Sequence, residues 1–240
     1  AYRPEVISES ERQSLLMKDV GWSFIRSGNG ESAFQVMFDH GLHHSSHSMA
    51  QCLTFDMICE GHHWLVNSGC APHYCTYDEQ NTWHRRTRAG NCIVLDGDEI
   101  PAGTNGELLE WEAEGNITAL RACHGGYDHT LHERRLIYCE GGPLVVVDRL
   151  IPNDDHDHLG TVYWHVNAEV VAREDQRWTF GDAIGNSLVV LSEQITPDTE
   201  LCEGLCGGLG GRDRQAGKLP EALVVNPGSE GWRFVPFFEL

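Results

Sequence analysis

The sequence predicts an all-β protein, built as a large two-sheet antiparallel β-sandwich with a short helical or irregular segment at its N-terminus. Three observations favour this class. Short runs of alternating or β-branched residues recur along the 240 residues, and turn residues separate them. The 26 Gly and 9 Pro disfavour long helices. A chain with so many short strands buries its apolar faces best as two packed sheets.

The predicted strands follow one another at short intervals. Their separators, such as Ser27 to Gly30 and Glu140 to Pro143, carry residues typical of tight turns. No internal repeat or long linker divides the chain, so residues 21–240 are predicted to form one domain after an N-terminal segment of residues 1–20. In order, the strands are Trp22 to Arg26, Ala33 to Phe38, Cys52 to Cys59, His63 to Val66, Cys92 to Leu95, Glu107 to Glu114, Ile117 to Ala122, His132 to Cys139, Leu144 to Leu150, Thr161 to Val166, Trp178 to Phe180, Leu188 to Leu191, Ala222 to Val225 and Trp232 to Phe237.

Two segments depart from the strand pattern. Ser8 to Val20 has apolar residues at helical spacing, and Ser8 followed by Glu11 forms a possible capping box, so an amphipathic entry segment, helical or irregular, is expected there. Cys202 to Gly217 combines several glycines with mixed charges, which predicts a surface loop. This loop lacks the Lys-Ser/Thr ending of a phosphate-binding loop.

The charge of the chain excludes some classes of partner. Acidic residues outnumber basic ones 36 to 17, and the formal net charge is −19 with neutral histidines. Such a chain repels phosphate backbones and anionic membranes, so no nucleic-acid partner is expected. Apolar runs such as Leu144 to Val147 are far shorter than the ~20 residues that span a bilayer, so no membrane span is expected.

The cysteines and the first residue leave questions open. Nine cysteines are an odd number, so at least one thiol lacks a partner within the chain. Cys70 with Cys75, and Cys202 with Cys206, are close enough in sequence to bridge, whereas buried free thiols are expected for most of the others. Because the chain begins at Ala1, we expect either a processed protein or a piece of a longer one.

Candidate chemistry is concentrated between Asp39 and Gly97. This region combines aromatic residues with Arg85, Arg86 and Arg88, and that density of imidazole and guanidinium groups in an acidic chain favours a site for an anion. The alternative is a set of loop histidines without a shared role. Eight of the 14 histidines lie here, namely His40, His43, His44, His47, His62, His63, His73 and His84.

An ordered series of motifs resembles a known family. Ser46 to Asp56 (SHSMAQCLTFD) and Trp64 to Gly69 (WLVNSG) are similar to a His-Gly-His-x-Asp-x-Leu-Ser-Phe and Leu-Val-Asp-Pro-Gly pattern. Trp83 to Gly97 (WHRRTRAGNCIVLDG) is similar to an Arg-Ser-Thr-x-Ala-His-Asn-Thr-Val-x-Val-Asp-Gly block. With His132 to Arg134, Leu144 to Arg149 and Tyr163 to Val166, the series resembles the β-domain of heparinase II/III-type polysaccharide lyases, from about Gly21 to the end.

The resemblance implies a two-part enzyme. In the family, an N-terminal toroid of helices packs on a C-terminal antiparallel β-sandwich and holds an acidic polysaccharide between the two. The implied reaction is β-elimination next to a uronate carboxylate. The implied partners are the acidic polysaccharide and a helical toroid domain or subunit, which we expect to lie outside this chain. Such lyases are exported, so a periplasmic or secreted location is expected.

The resemblance also carries over to single residues. His47 occupies the first position of the family's His-x-His pattern, which faces the substrate carboxylate, and it is the expected catalytic residue. If Arg86 and Arg88 flank a strand, they share one face and can bind a carboxylate or sulfate together, whereas a solvated strand edge is the alternative. Structural packing or a contact at the rim of the site is favoured for His132, Arg134 and His165. The expected substrate-binding residues are Arg85, Arg86, Arg88, Trp83, Tyr77 and His44.

The family's zinc-binding positions are replaced in this sequence. The resemblance places three zinc ligands at Met49, Asn67 and Gly90, and a further carboxylate at Gln51. Methionine, asparagine and glycine are poor ligands or none for zinc, so no metal and no other cofactor are expected. Either apolar packing around Met49, Cys52 and Cys92 replaces the metal, or the chain is a non-catalytic carbohydrate-binding or structural module. A cupin-like metal enzyme is disfavoured, because His47-Ser48-Met49 breaks the required His-x-His pattern.

Overall fold

The computed structural model describes residues 13–41, 49–67, 83–174, 177–182 and 185–192, together with the backbone of strands at 200–205, 218–225, 233–234 and 236–239. Within these ranges the chain forms two nine-stranded sheets in which every pair of neighbours is antiparallel. The predicted all-β, two-sheet sandwich is therefore confirmed. No helix of the described residues is long and apolar enough to cross a membrane.

The strands are short and follow one another closely along the chain. In chain order they are β1 (Leu15–Met17), β2 (Trp22–Ser27), β3 (Phe34–Asp39), β4 (Thr54–Cys59), β5 (His62–Leu65), β6 (Ile93–Leu95), β7 (Glu107–Glu114), β8 (Ile117–Tyr127), β9 (Thr130–Cys139), β10 (Leu144–Pro152), β11 (Gly160–Val166), β12 (Glu169–Glu174), β13 (Arg177–Gly181), β14 (Ser187–Ser192), β15 (Glu200–Leu205), β16 (Lys218–Val225), β17 (Arg233–Phe234) and β18 (Pro236–Glu239).

The order of the strands in each sheet places the sequence motifs. The first sheet runs β1-β2-β3-β4-β5-β11-β16-β15, with β6 paired to β11, and the second runs β12-β13-β14-β18-β10-β9-β8-β7, with β17 paired to β10. Side chains alternate between faces, so one face of each sheet is buried. Phe38 on β3, Phe55 on β4 and Trp164 on β11 are buried in the same core as Leu136 on β9 and Val146 on β10.

The N-terminal segment contains a strand within Ser8 to Val20, where the sequence predicts none. Leu15–Met17 forms an edge strand paired with β2, and only Lys18–Val20 forms one 3-10 turn. The turn is closed by Gly21, whose φ of 72° lies in the left-handed region and whose missing Cβ would collide with Gly41. Pairing with β2 satisfies the backbone hydrogen bonds of Leu15–Met17, so these residues form a strand despite the helical spacing of their apolar side chains. Residues 1–12 lie outside the described residues.

Two strands have no clear signal in the sequence. Glu169–Glu174 is largely exposed and carries charged residues at both ends, and Glu200–Leu205 contains glutamate and glycine. The backbone of Glu169–Glu174 pairs with β13, and that of Glu200–Leu205 pairs with β16. Cys202 to Leu205 is therefore strand, and not the start of the predicted loop, while residues 206–217 lie outside the described residues.

The described cysteines act as small apolar side chains. The thiols of Cys52, Cys59, Cys92 and Cys123 are free and buried, as predicted for most of the cysteines, and Cys139 is free and exposed. Both proposed bridges, Cys70 with Cys75 and Cys202 with Cys206, involve side chains outside the described part of the structure.

Candidate functional site

The candidate site is centred on residues 83–92, which connect β5 to β6 and are called the arginine segment. Thr87–Ala89 forms a single 3-10 turn, so the expectation that Arg86 and Arg88 flank a strand is wrong. Burial nevertheless alternates through the turn: Arg86 and Arg88 are exposed, whereas Thr87 and Ala89 are buried. The turn thus presents two arginines to solvent from a buried base.

Contacts with neighbouring loops anchor the arginine segment. The backbone N–H of Ile100 donates to Thr87 Oγ1 at 3.0 Å, and the Thr87 N–H donates to the Glu99 carboxylate. The guanidinium of Arg88 lies 5.7 Å from the centroid of the Trp83 ring, at a distance typical of a cation–π contact. Trp83 is half-buried and holds Arg88 at the edge of the segment.

A group of polar side chains lies beneath the arginine segment and is called the amide cluster. Its centre is Asn67: the side-chain oxygen accepts from Thr54 Oγ1 at 2.5 Å and from the Asn91 N–H at 2.9 Å, and the side-chain nitrogen donates to Asp56 Oδ1 at 2.6 Å. Burial raises the pKa of Asp56 to about 6. The cluster consists of Gln51, Thr54, Asp56, Asn67 and Asn91.

Gln51 connects this cluster to the backbone of the arginine segment. Its side-chain nitrogen donates to the carbonyl oxygens of His84 at 3.3 Å and Arg86 at 3.1 Å. Its side-chain oxygen lies only 2.9 Å from the position that a Cβ on Gly90 would occupy. In addition, the Ala50 N–H donates to the Arg85 carbonyl at 3.0 Å. Residues 50–51 therefore hold the segment from below.

The three positions at which the resemblance implies zinc do not fit that ion. Asn67 already uses its side-chain oxygen and nitrogen in hydrogen bonds, and its neutral amide is a weak ligand. Gly90 offers no donor atom, and Gln51 fills the space beside it. Met49 supplies a thioether, which zinc disfavours. Among the described residues, no group of three or more His, Cys, Asp or Glu side chains could hold a metal ion.

A second buried group, called the ion cluster, comprises Arg134, Asp148, His132 and His124. Arg134 on β9 donates to both oxygens of Asp148 on β10, at 2.7 and 2.9 Å, and His132 contacts Asp148 Oδ1 at 2.7 Å. Burial alone would raise the pKa of Asp148, but Arg134 and His132 lower it to about 2. All four side chains are almost completely buried.

The donor pattern assigns the histidine tautomers of the ion cluster. The Gly126 N–H donates to His124 Nδ1 at 3.1 Å, so the His124 proton is on Nε2 and points to His132 Nδ1, 3.1 Å away. His132 then donates from Nε2 to Asp148. Burial lowers the pKa of both histidines. The chain of hydrogen bonds is complete with neutral imidazoles.

Arg134 also links the second sheet to the loops of the candidate site. Its Nη1 donates to the carbonyl oxygens of Leu53 at 2.7 Å and Asn91 at 2.5 Å. Leu53 has a φ of 57°, which is uncommon for leucine, and Arg134 holds its carbonyl in that orientation. The amide cluster and the ion cluster therefore meet at Asn91.

His165 on β11 completes the support of the arginine segment. Its backbone N–H donates to Asn91 Oδ1 at 2.7 Å, and its Nε2 donates to the Arg88 carbonyl at 2.8 Å. Burial lowers the pKa of His165 to about 4, so the ring is neutral at pH 7. His132, Arg134 and His165 are all buried, so of the two expected roles, structural packing or a rim contact, the structure shows packing.

The structure brings together only part of the predicted site. Arg85, Arg86, Arg88 and Trp83 all lie on the arginine segment, whereas the other predicted site residues lie outside the described residues. These are His47, His44 and Tyr77. Two other histidines of the region from Asp39 to Gly97 have structural contacts: His40 contacts Ser23 Oγ at 2.9 Å, and His62 donates to the Asn167 carbonyl at 2.8 Å.

Known proteins resemble this chain in sequence and in fold. The sequence model described as heparinase II/III-like, C-terminal, matches residues 9–237. This chain belongs to the heparinase II/III-like family. A protein named heparin-sulfate lyase from Bacteroides stercoris is 24% identical over 150 residues, which are 62% of this chain and 22% of that protein.

Solved structures share the fold of this heparinase II/III-like chain. A structure of heparinase III superposes with a TM-score of 0.80 at 18% identity, and covers 95% of this chain and 36% of its own. Heparan sulfate lyase HepC from Pedobacter heparinus gives a TM-score of 0.78 at 18% identity, with 94% and 36% covered. The chain thus spans little more than a third of the length of these structures.

Proposed function

We propose that this chain is the β-domain of a polysaccharide lyase that cleaves uronic-acid-containing polysaccharide by β-elimination, together with a helical domain outside these residues. Family membership over residues 9–237 supports the reaction class. The observation that carries the proposal in this chain is the pair of exposed arginines, Arg86 and Arg88, on a segment whose base is buried and hydrogen bonded. Planar guanidinium groups are suited to carboxylates and sulfates.

The reaction requires positive charge beside the uronate carboxylate. A base removes the proton on the carbon next to the carboxylate, the electrons of that C–H bond form a C=C bond, and the glycosidic oxygen leaves and is protonated. Negative charge builds up on the carboxylate as the proton departs, so fixed cations lower the barrier. In our proposal Arg86 and Arg88 bind the carboxylate or a nearby sulfate, and the helical domain supplies the tyrosine that the family uses.

His47 is proposed as the catalytic residue of this chain. Ala50, three residues further on, is hydrogen bonded to Arg85 at 3.0 Å. His47 is only three residues from Ala50 in the sequence, and this short separation from a residue bonded to the arginine segment supports the proposal. His44, Tyr77, Arg85 and Trp83 are proposed as further substrate contacts. We also propose that no metal participates, that nucleic acid is not a ligand, and that the protein is periplasmic or secreted.

The lyase proposal is tested by ultraviolet detection of the unsaturated uronate product. The chain is incubated with heparan sulfate, chondroitin, hyaluronan and alginate, alone and joined to the helical domain in one polypeptide. We expect product with the helical domain present, and its loss in His47→Ala. Arg149→Ala, which removes an exposed arginine on β10, serves as the matched control and should leave the rate unchanged. An absence of product with every polymer in the joined protein would overturn the proposal.

A second candidate function is a non-catalytic module that binds acidic polysaccharide. Gln51 and Asn67 favour it, because both stand where the resemblance implies carboxylates and both are neutral amides in a hydrogen-bonded cluster. This module would bind the same polymers through Arg86 and Arg88 without forming unsaturated product. Calorimetric binding combined with the absorbance assay separates the two functions.

A further inference from the structure

The contact between Gln51 and Gly90 couples the amide cluster to the arginine segment. Gln51 is 5% exposed, and its side-chain nitrogen faces two backbone carbonyl oxygens of the segment, those of His84 and Arg86. Two facing acceptors require a donor, so an amide fits this position and a carboxylate would be repelled. The chemistry of the position therefore depends on glutamine rather than on polarity in general.

Gly90 makes room for this side chain. A Cβ at Gly90 would lie 2.9 Å from Gln51 Oε1 and 3.1 Å from Thr54 Oγ1, both closer than ordinary van der Waals contact. The φ of Gly90 is −109°, which other residues adopt readily, so the backbone conformation does not require glycine here. Glycine is needed because the Gln51 amide, and at a slightly longer distance the Thr54 hydroxyl, occupy the space of a side chain.

We propose that Gln51 is a positioning residue, seated against Gly90, which fixes the arginine segment for binding of acidic polysaccharide. By hydrogen bonding the backbone on both sides of Arg85, Gln51 sets the direction from which Arg86 and Arg88 leave the buried turn. The amide bridge thus performs, without a metal, the bracing role that the resemblance assigns to zinc at neighbouring positions. The ligand in this inference rests on the proposed function, whereas the coupling of Gln51 to Gly90 does not.

The test uses the 240-residue chain with five variants, one of which is Gln51→Ala alone. Gln51→Met keeps the shape of the side chain but removes both hydrogen bonds, and Gln51→Glu keeps the shape but places an acceptor against two acceptors. Gly90→Ala pushes the Gln51 amide aside, and the double variant Gln51→Ala/Gly90→Ala removes the closest neighbour of the new methyl group and leaves only its contact with Thr54 Oγ1. Hydrogen exchange across residues 84–91 and at Ala50, together with calorimetric affinity for a heparan sulfate oligosaccharide, provides two readouts.

Coupling between the two positions is the expected result. Gln51→Met and Gly90→Ala should each speed exchange across residues 84–91 and weaken oligosaccharide binding about fivefold or more, the effect of losing about one hydrogen bond. Adding Gly90→Ala to a chain that already carries Gln51→Ala should change neither readout further. Gln51→Glu should weaken binding at least as much as Gln51→Met. Affinities are compared at a temperature at which each variant is folded by circular dichroism.

Two results would overturn the positioning role. The first is additive effects of Gln51→Ala and Gly90→Ala on hydrogen exchange. The second is a lowered unfolding temperature with unchanged affinity, which would make Gln51 a stabilising residue only. If the unsubstituted chain binds no acidic oligosaccharide, the proposed function fails, and the exchange data alone decide whether Gln51 and Gly90 are coupled.

Discussion

The ion cluster and the amide cluster hold the same loops with different chemistry. In the ion cluster, Arg134 and Asp148 are both buried and charged, and the strength of each contact depends on the presence of the other charge. In the amide cluster, the neutral amides of Asn67 and Gln51 hydrogen bond to backbone and side chains, and the only charged group is the carboxylate of Asp56. Both clusters bond to the backbone of Asn91, the ion cluster at its carbonyl oxygen and the amide cluster at its N–H.

This difference separates stability from presentation of the site. The ion cluster links the second sheet to loops of the first and is far from solvent, so its loss should strongly destabilise the fold. The amide cluster lies directly beneath Arg86 and Arg88, so its loss should disturb their placement with a smaller effect on stability. The predictions below test this division, from the largest expected effect to the smallest.

Breaking the ion cluster should be the most damaging change. Arg134→Met leaves Asp148 buried without its cation and leaves the Leu53 and Asn91 carbonyls without a donor, so the free energy of unfolding should fall by about 3–5 kcal/mol. This loss of unfolding free energy is measured by urea unfolding, monitored by circular dichroism. The double variant Arg134→Met/Asp148→Leu should be less destabilised than the single variant. A single-variant loss below about 1 kcal/mol would contradict the central place given to Arg134.

Acid should destabilise the fold through buried histidines, with His165 as the clearest case. The pKa of His165 is about 4 in the folded chain and 6.5 for an ordinary histidine, so the unfolded chain takes up the proton first and stability falls as the pH drops through that window. Over 2.5 units this amounts to about 3 kcal/mol. Asp56, whose folded pKa is about 6, acts in the opposite direction between pH 6 and 3.8.

Replacement of His165 by glutamine isolates its contribution. Glutamine can still donate to the Arg88 carbonyl but does not titrate in this range. Between pH 4 and 6.5, the unfolding free energy of His165→Gln should therefore depend less steeply on pH, and the difference in slope should correspond to about one proton. Chemical unfolding at several pH values measures the slope. An identical slope in the variant would mean that His165 is not the group responsible.

Asn67 should have an intermediate effect. Asn67→Ala removes the partner of Thr54, Asp56 and the Asn91 N–H, so a loss of about 1–3 kcal/mol is expected. Asn67→Asp places a second carboxylate beside Asp56 and should be destabilising at pH 7 and recover toward pH 5, since one carboxyl then stays protonated. Thermal unfolding at the two pH values distinguishes the variants. Equal effects at both pH values would argue against close contact with Asp56.

The smallest expected effect is that of zinc and of a chelator. A zinc ion present at 100 times its Kd would add about 2.7 kcal/mol, which in a domain of this size raises the unfolding temperature by about 5–10 °C. We expect no such shift at the amide cluster. This expectation would be contradicted if a chelator lowered the unfolding temperature of the unsubstituted chain but not that of Asn67→Ala.

Much of the fold was accessible from the sequence because its strands alternate clearly. Thr161 to Val166 and Glu107 to Glu114 match the observed strands to within one residue. The alternation failed where pairing rather than burial holds the strand, as in Leu15–Met17 and Glu169–Glu174. At the edge of a sheet, backbone hydrogen bonds are sufficient without an apolar face.

The site was less accessible, because its supports come from distant parts of the chain. Arg86 and Arg88 were recognised as a pair, but the buried 3-10 turn that presents them depends on contacts with residues 50–51 and 99–100. One signal could have located the ion cluster. Asp148 occupies an inward position of β10, whose other buried positions are valine and leucine, and a charge there requires a buried partner such as Arg134.

The most direct test of the account is the affinity of the chain for a heparan sulfate oligosaccharide, measured by calorimetry in the unsubstituted chain and in Arg86→Ala/Arg88→Ala. The account predicts binding that falls about tenfold or more in the double variant, since each charge-assisted contact contributes about 1.5–3 kcal/mol. Arg149→Ala should bind normally, and all unfolding temperatures should stay the same. Equal affinity of the double variant and the unsubstituted chain would contradict the assignment of the arginine segment as the substrate-binding surface.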